Sequence, residues 1–244
     1  MPRKDAKGKW DLPQTVDEWY QKEDPWNVRN DTAEKLKAQA LFDIMDTYEW
    51  GLDLACGEGY WTSLFALKCK HMIGTDISYN AIKRAQKYHV QWYQNVIEGI
   101  TFFVSDMSSV SGTHAFDVVI MMDALYYIRP EKWQDVARNV YSQLKEGGTF
   151  IICNGQYFDE ADIKEIFKEI EWEKTIVNLF KPRSHCEYYV LMKGVYIPER
   201  REIMRDRPPV GSGLDKAKYW LGFDKGYDYN KLKRDYGVPD KKVD

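Results

Sequence analysis

The sequence lacks any apolar run of membrane-spanning length, and no apolar segment follows its first residues. A membrane-spanning helix needs about 20 mainly apolar residues, and a secretory signal needs an apolar core near the N-terminus. The four cysteines form no C-x-x-C pair, which excludes the commonest zinc and dithiol motifs. We therefore expect a cytoplasmic protein in a reducing setting, with no membrane partner and no metal site.

The chain also lacks a large excess of charge of either sign. The chain has 35 Lys and Arg residues and 38 Asp and Glu residues, for a formal net charge of −3. Such a balance does not predict binding to nucleic acid, which usually needs a basic surface. Apolar and aromatic side chains are plentiful, at 44% and 15% of the 244 residues. This length and composition suit one large α/β domain with additions, whose aromatic residues fill a core or line a cleft.

One glycine-rich stretch organises the chain. An apolar run contains Asp53, the turn Gly57-x-Gly59 follows, and residues 62–67 have the pattern of a helix. Strand, glycine turn and helix are the local plan of a nucleotide-binding crossover unit, although such a stretch can also be a structural turn only. Asp53 and Glu58 disfavour a pyrophosphate and favour a ligand that is cationic there. S-adenosylmethionine (SAM) carries a sulfonium and an ammonium and no phosphate, so it meets that requirement.

Two later strands also lead to an acid. Residues 71–76 end at Asp76, which follows Asp53 by 23 positions, and residues 100–107 contain Asp106. A carboxylate at the end of the second strand is placed to bind a ribose diol. One at the end of the third strand could accept a hydrogen bond from an adenine amino group. The alternatives, a helix N-cap for Asp76 and a solvated loop acid for Asp106, stay open.

Helical and strand patterns alternate through the middle of the chain. This order predicts a doubly wound α/β sheet whose ligands bind at the carboxyl ends of the strands. No helix fits between residues 175–180 and 186–196, so these runs should form an antiparallel hairpin. The predicted helices cover residues 33–45, 62–68, 80–95, 131–144 and 159–170, and the other strands cover 50–55, 116–123 and 149–154.

This series of motifs resembles class I SAM-dependent methyltransferases over about residues 33–196. Residues 53–59 resemble their first motif, with Ala55 in place of the usual first glycine, and Ser105-Asp106-Met107 resembles the adenine-side motif. The resemblance implies a Rossmann-like methyltransferase fold, with a mostly parallel seven-stranded sheet and an antiparallel final hairpin. A narrower resemblance, to the nodulation N-methyltransferase group, is carried by Asp24-Pro25-Trp26, Leu125-Tyr126-Tyr127-Ile128 and Cys153.

The resemblance also implies a cofactor and an acceptor. The cofactor is SAM, the product is S-adenosylhomocysteine (SAH), and the acceptor is a small, polar, sugar-like molecule methylated on nitrogen or oxygen. The residues that the resemblance assigns to the cofactor are Asp53, Ala55, Gly57, Gly59, Asp76, Ile77, Asp106, Met107 and Met122.

Two further sets of residues are candidates for the acceptor side. Flat aromatic faces pack on sugar rings and exclude water, which an in-line methyl transfer needs. Purely structural alternatives also stay open. Trp26 could attach the first helix to the sheet, Tyr126 or Tyr127 could fill the core, and His185 could be a loop histidine. The catalytic candidates are Asp123, Tyr126 and His185, and the substrate-binding candidates are Trp26, Arg29, Tyr127 and Asn154.

The chain divides into a cap at residues 1–31, a methyltransferase domain at 32–197 and an extension at 198–244. We expect the extension to dock on the domain or on a second copy, which allows a homodimer. The competing functions are a non-catalytic SAM-binding scaffold, a methyltransferase of macromolecules, and a nicotinamide-dependent dehydrogenase. Nucleic-acid methylation is disfavoured because the chain has neither an Asp-Pro-Pro-Tyr nor a Pro-Cys sequence.

Overall fold

Five parallel strands form the centre of the fold. The computed structural model describes residues 13–89, 99–109, 114–153, 163, 165–166, 173–175 and 188–192. The strand order β3-β2-β1-β4-β5 reverses direction between β1 and β4, which is the switch point where doubly wound sheets bind ligands. The predicted α/β fold with a parallel sheet is confirmed. The strands are β1 (Tyr48–Leu54), β2 (Cys69–Asp76), β3 (Ile100–Val104), β4 (Phe116–Met122) and β5 (Leu144–Cys153).

Two short strands continue the sheet beyond β5. Strand β7 (Tyr188–Met192) pairs antiparallel with β5 and with β6 (Glu173–Thr175). Most of the predicted hairpin at 175–180 and 186–196 lies outside the described residues, as does most of the predicted helix at 159–170.

Helices connect or flank the strands, and five α-helices have both ends within the residues that the structure describes. The N-terminal helix lies within the cap at residues 1–31, for which the sequence analysis predicted no helix. It begins at a proline, a residue that suits the first helical position because its missing amide would have no partner there. The helices are α1 (Pro13–Trp19), α2 (Thr32–Ile44), α3 (Tyr60–Phe65), α4 (Tyr79–Tyr88) and α5 (Trp133–Gln143).

The core lies between the sheet and the helices. Val119 and Met121 of β4 are fully buried, and they belong to one apolar cluster with Val136 and Val140 of α5. A strand buried on both faces needs a near-continuous apolar run, which β4 provides. The core therefore fixes the carboxyl ends of the strands, where the acids of the sequence analysis lie.

Several predictions about the chain as a whole stay predictions. They concern the three segment boundaries, the docking of residues 198–244, the homodimer and the cytoplasmic location. Among the described residues, no helix combines the length and the apolarity that crossing a membrane would require.

Candidate active site

The glycine-rich turn begins where β1 ends. Ala55, Gly57 and Gly59 all have a positive φ, of 57°, 56° and 73°. Only glycine adopts this conformation without a steric cost, so Ala55 is held there by its surroundings. The amide of Cys56 donates to the Thr75 carbonyl at 2.8 Å, which joins the turn to β2. The turn thus lies at the carboxyl edge of both strands.

Close packing also requires glycine in this turn. A Cβ added at Gly57 would lie 2.6 Å from Oη of Tyr20, and one at Gly59 would lie 2.6 Å from the ring of Phe102. Tyr20 comes from the segment before α2, and burial raises the pKa of its hydroxyl well above the usual value. The chain itself therefore covers one side of the turn.

Asp76 ends β2 beside the turn. Its carboxylate accepts from the Gly57 amide at 2.9 Å and from the Ser78 amide at 2.8 Å. Ser78, not Asp76, caps α4, because Ser78 Oγ accepts from the Ala81 amide at 3.1 Å. Burial raises the pKa of Asp76 to about 6, and the amide donors oppose the shift. A carboxylate has about four acceptor sites, so these bonds leave acceptor capacity for a ligand such as a ribose diol.

Asp53 is placed differently from Asp76. It is 4% exposed and accepts from Thr62 Oγ1 at 2.6 Å, so it links β1 to the first turns of α3. Burial raises the pKa of Asp53 to about 7, and the Thr62 hydrogen bond opposes the shift. These contacts give Asp53 a role in holding the glycine turn.

The loop after β3 carries Asp106 and Met107. Oδ1 of Asp106 accepts from the amide and the hydroxyl of Ser108, at 2.8 and 2.7 Å. Met107 packs against the apolar cluster under α5, and its carbonyl accepts from Asn139 Nδ2 at 2.9 Å. Among the contacts of the described residues, Oδ2 of Asp106 has no partner, so it can accept from a ligand.

Ile77 and Met122 also lie at strand ends, Ile77 directly after β2 and Met122 at the end of β4. Ile77 is half-buried between Asp76 and Ser78, and Met122 is the half-buried last residue of β4. Both lie at the carboxyl edge that the sequence analysis assigned to the cofactor.

Glu58 contradicts its sequence interpretation. Its carboxylate accepts from Arg29 Nη2 at 2.8 Å, from Arg84 Nη1 at 2.9 Å and from the Asp24 amide at 3.1 Å. The side chain is 7% exposed. The interpretation that Glu58 favours a cationic ligand is wrong, because two guanidinium groups of the chain already neutralise it.

Arg29 faces the glycine turn and α4. Besides Glu58, its guanidinium pairs with Glu23 at 2.7 Å and lies 4.3 Å from the centre of the Tyr88 ring. None of these contacts reaches the loop after β4. These contacts hold the N-terminal segment against the turn, and the prediction that Arg29 binds the acceptor stays a prediction.

An aromatic cluster joins the N-terminal segment to the loop after β4. The Trp26 ring lies 5.7 Å from Trp19, 5.1 Å from Tyr20 and 6.4 Å from Tyr127, measured between ring centres. Tyr126 and Tyr127 are 4.5 Å apart. Trp26 remains 40% exposed, whereas Tyr126 is 7% exposed. The rings thus bring together three of the acceptor-side candidates.

Asp123 begins the loop after β4. It has a φ of 49°, and its carboxylate pairs with the buried ammonium of Lys37. Lys37 also pairs with Glu34 at 2.6 Å. Burial raises the pKa of Glu34, and the Lys37 charge opposes the shift. Asp123 is therefore part of a charged triad between α2 and the loop. The other two candidates, Asn154 and His185, lie outside the described residues.

Sequence reasoning missed several residues that shape the site. Lys37 and Arg84 act through contacts with residues far along the chain, so no local pattern marks them. Asp17 of α1 accepts from Ser78 Oγ at 2.6 Å and from the Asn80 amide at 2.9 Å, which ties α1 to the start of α4. In the part of the chain that the structure describes, no group of three His, Cys, Asp or Glu side chains could hold a metal ion.

Comparison with known proteins identifies the domain. Residues 52–148 match the sequence model of a family described as a methyltransferase domain. Over these residues the chain is therefore similar to methyltransferases. Nodulation protein S of Bradyrhizobium diazoefficiens is 24% identical over 174 residues, which cover 67% of this chain and 79% of that protein. A carboxy-S-adenosyl-L-methionine synthase of Hydrogenovibrio crunogenus is 24% identical over 172 residues, 69% of this chain and 67% of that protein.

A solved structure supports the same fold. The N-methyltransferase NodS from Bradyrhizobium japonicum WM9, in complex with SAH, superposes with a TM-score of 0.61 at 19% identity. The match covers 75% of this chain and 99% of NodS. The predicted resemblance to class I methyltransferases of the NodS type is confirmed, and so is SAM as the cofactor.

Proposed function

We propose that this methyltransferase transfers the methyl group of SAM to a nitrogen or oxygen atom of a small, polar, sugar-like acceptor. The acceptor would lie between Trp26 and the loop of residues 123–127. The observation that carries this proposal is the aromatic cluster, whose ring contacts link those two segments at the carboxyl edge of the sheet. Aromatic faces pack on sugar rings and exclude water from the site of transfer.

The residues at this edge suit the cofactor. Asp76 would bind the ribose, because its carboxylate keeps acceptor capacity. Asp106, Met107 and Ile77 would hold the adenine. The glycine turn would receive the methionine part. SAM supplies a methyl group on a positively charged sulfur, which is already activated for transfer. The proposed cofactor residues are Asp53, Ala55, Gly57, Gly59, Asp76, Ile77, Asp106, Met107 and Met122, with Asp53 acting through the turn.

The acceptor side supplies alignment and a hydrogen-bond acceptor. The Asp123 carboxylate pairs with Lys37, and the Tyr126 hydroxyl belongs to the same loop. Among the contacts of the described residues, the second carboxylate oxygen of Asp123 has no partner. It can therefore accept a hydrogen bond from the nucleophile and orient it. Proximity of this kind accounts for much of the rate of a two-substrate reaction.

An amine is the acceptor that the site supports best. Several aromatic faces together stabilise a cation, and an amine that gains a methyl group becomes cationic before it loses its proton. NodS, which shares the fold, is an N-methyltransferase by name. A hydroxyl acceptor would depend more on a positioned base.

The test is methyl transfer from labelled SAM to a panel of amino sugars, the matching hydroxyl sugars and small amines. The expected result is SAH formation with an amino-sugar acceptor. Trp26→Ala should then raise the acceptor KM with SAH affinity unchanged, because only acceptor binding is lost. Trp50→Ala is the matched control, since Trp50 is 38% exposed and lies near the amino end of β1. A Trp26→Ala protein that loses thermal stability but keeps its acceptor kinetics would make the residue structural.

A second candidate function follows from the similarity to a carboxy-SAM synthase. An enzyme of that kind modifies the cofactor, so it would not transfer the methyl group to an acceptor. Mass spectrometry of the same reactions separates the two functions, because methyl transfer converts SAM to SAH. A SAM-binding scaffold would bind SAH and leave SAM unchanged with every acceptor.

A further inference from the structure

Helix α5 contacts the loop that would hold the adenine. Asn139, in the middle of α5, donates from Nδ2 to the Met107 carbonyl at 2.9 Å, across 32 positions of sequence. This bond crosses from the helix after β4 to the loop after β3. It therefore fixes the peptide group of Met107 relative to the core.

The Asn139 side chain is itself oriented. Its Oδ1 accepts from Gln143 Nε2 at 3.3 Å, and Gln143 is 1% exposed. This contact assigns Oδ1 as the acceptor and leaves Nδ2 to donate toward Met107. A half-buried amide with both roles assigned holds its partner in one orientation better than a solvated one would.

Among the described residues, the loop has one other directional contact with the core, from the Ser105 amide to the Asp76 carbonyl at 2.9 Å. Asp106 bonds within the loop, to the amide and the hydroxyl of Ser108. Ser109 also donates its amide to the Asp106 carbonyl, at 2.9 Å. The packing of Met107 on the apolar cluster is nonpolar and sets no direction. The Asn139 bond thus holds the loop from the α5 side and, with the Ser105 bond to β2, sets the angle at which Met107 and Asp106 meet a ligand.

We propose that Asn139 is a positioning residue for adenine recognition. By holding the Met107 carbonyl, it aims the free carboxylate oxygen of Asp106 at the adenine amino group. The inference rests on the proposed cofactor site and names a residue outside it that sets base specificity. It predicts that replacing Asn139 reduces the preference for adenine over hypoxanthine while the protein stays folded.

The experiment compares two ligands that differ at one group. SAH carries the adenine amino group, and S-inosyl-L-homocysteine carries a carbonyl oxygen in its place. Calorimetry should give the wild type at least a tenfold preference for SAH, because a carbonyl cannot donate to Asp106 and leaves two acceptors facing each other. Asn139→Leu and Asn139→Ser should reduce that preference to about threefold or less, with melting temperatures and circular dichroism close to those of the wild type.

Arg138→Gln is the matched control. Arg138 is the neighbouring residue on α5, its side chain is 57% exposed, and it pairs with Asp135 on the same helix. This variant should keep the wild-type preference. Asn139→Ser also keeps the inference testable where Asn139→Leu does not fold, since serine fits in the space that asparagine leaves.

The outcomes separate the inference from the proposed function. No binding of SAH to the wild type would refute the proposed cofactor site. Binding of SAH with an undiminished preference in both folded Asn139 variants would overturn the inference alone. Equal binding of the two ligands by the wild type would also overturn it, because the amino group would then not be recognised.

Discussion

Cofactor affinity should depend on pH through Asp76. Burial raises the pKa of this carboxyl to about 6, compared with about 3.9 for an unperturbed aspartate. Ribose hydroxyls donate hydrogen bonds, so the carboxylate form of Asp76 binds them best. Protonation of Asp76 and binding of the cofactor should therefore oppose each other.

The expected magnitude follows from that pKa. With a value near 6, about 90% of Asp76 is ionised at pH 7 and about 10% at pH 5. Affinity for SAH should then fall about tenfold over this interval, or about 1.4 kcal/mol, and stay level above pH 7. At pH 5, binding should release close to one proton for each SAH bound.

The pH dependence of stability has the opposite direction to the pH dependence of SAH binding. Because the folded protein holds its proton on Asp76 more tightly than the unfolded chain does, this group raises the free energy of unfolding as the pH falls from about 6 to about 4. The weaker binding at pH 5 therefore reports on the ligand and not on a loss of fold.

Calorimetric titrations of SAH between pH 5 and 8, in two buffers of different ionisation enthalpy, measure both the affinity and the released protons. Asp76→Asn should bind SAH more weakly at pH 7 and with little pH dependence. Asp117→Asn is the control, because Asp117 lies at the amino end of β4 and pairs with Lys145 at 2.9 Å. A wild-type affinity that is constant from pH 5 to 7 would refute the reasoning, as would unchanged binding by Asp76→Asn.

Three further changes test the first motif. Burial raises the pKa of Asp53 to about 7, so the folded state binds more protons and the free energy of unfolding falls as the pH rises from about 4 to about 7. Asp53→Asn should flatten that fall in thermal melts at pH 5 and 8, and an unchanged slope would contradict it. Ala55→Gly should raise the free energy of unfolding in urea by up to about 1 kcal/mol. The left-handed conformation of Ala55 costs about 1–2 kcal/mol, and the extra freedom of glycine in the unfolded chain offsets only part of that. A destabilised variant would show that Ala55 is not strained. Glu58→Gln should cost on the order of 1–3 kcal/mol, since it removes charged hydrogen bonds from a largely buried site. Glu49→Gln, in the exposed pair with Lys70, should cost about 0.5 kcal/mol or less, and equal losses would count against the role of Glu58.

The parallel sheet could be predicted because its signals are local. Strand β4 is a near-continuous apolar run, and the glycines of the turn adopt the left-handed conformation that glycine favours. Ser78 and Asp76 illustrate the limit of such signals. Both residue types can cap a helix, and only the bond from Ala81 to Ser78 decides between them.

The acceptor side could be predicted only in part. Aromatic residues on either side of the domain core are visible in the sequence, but the contact between Trp26 and Tyr127 depends on the fold. The roles of Glu58 and Asp123 depend on partners that are distant in sequence: Arg29 is 29 positions from Glu58, and Lys37 is 86 positions from Asp123. In the sequence alone a charged side chain looks available to a ligand, because only the tertiary structure shows its counterion.

Helix α1 was beyond prediction for a similar reason. Its seven residues show no clear apolar stripe, and its polar contacts reach α4 through Asp17 and Asn80, which are 63 positions apart. A short helix of this kind takes its stability from tertiary contacts and not from its own propensity.

A crystal structure of the protein with SAH tests the central claim most directly. The account predicts SAH at the carboxyl edge of β1 and β2, with ribose oxygens about 2.7 Å from the Asp76 carboxylate and the adenine amino group within about 3 Å of Asp106. Its methionine part should lie against the turn of residues 55–59. Density for SAH at any other place on the domain, or a ribose that does not contact Asp76, would contradict the account.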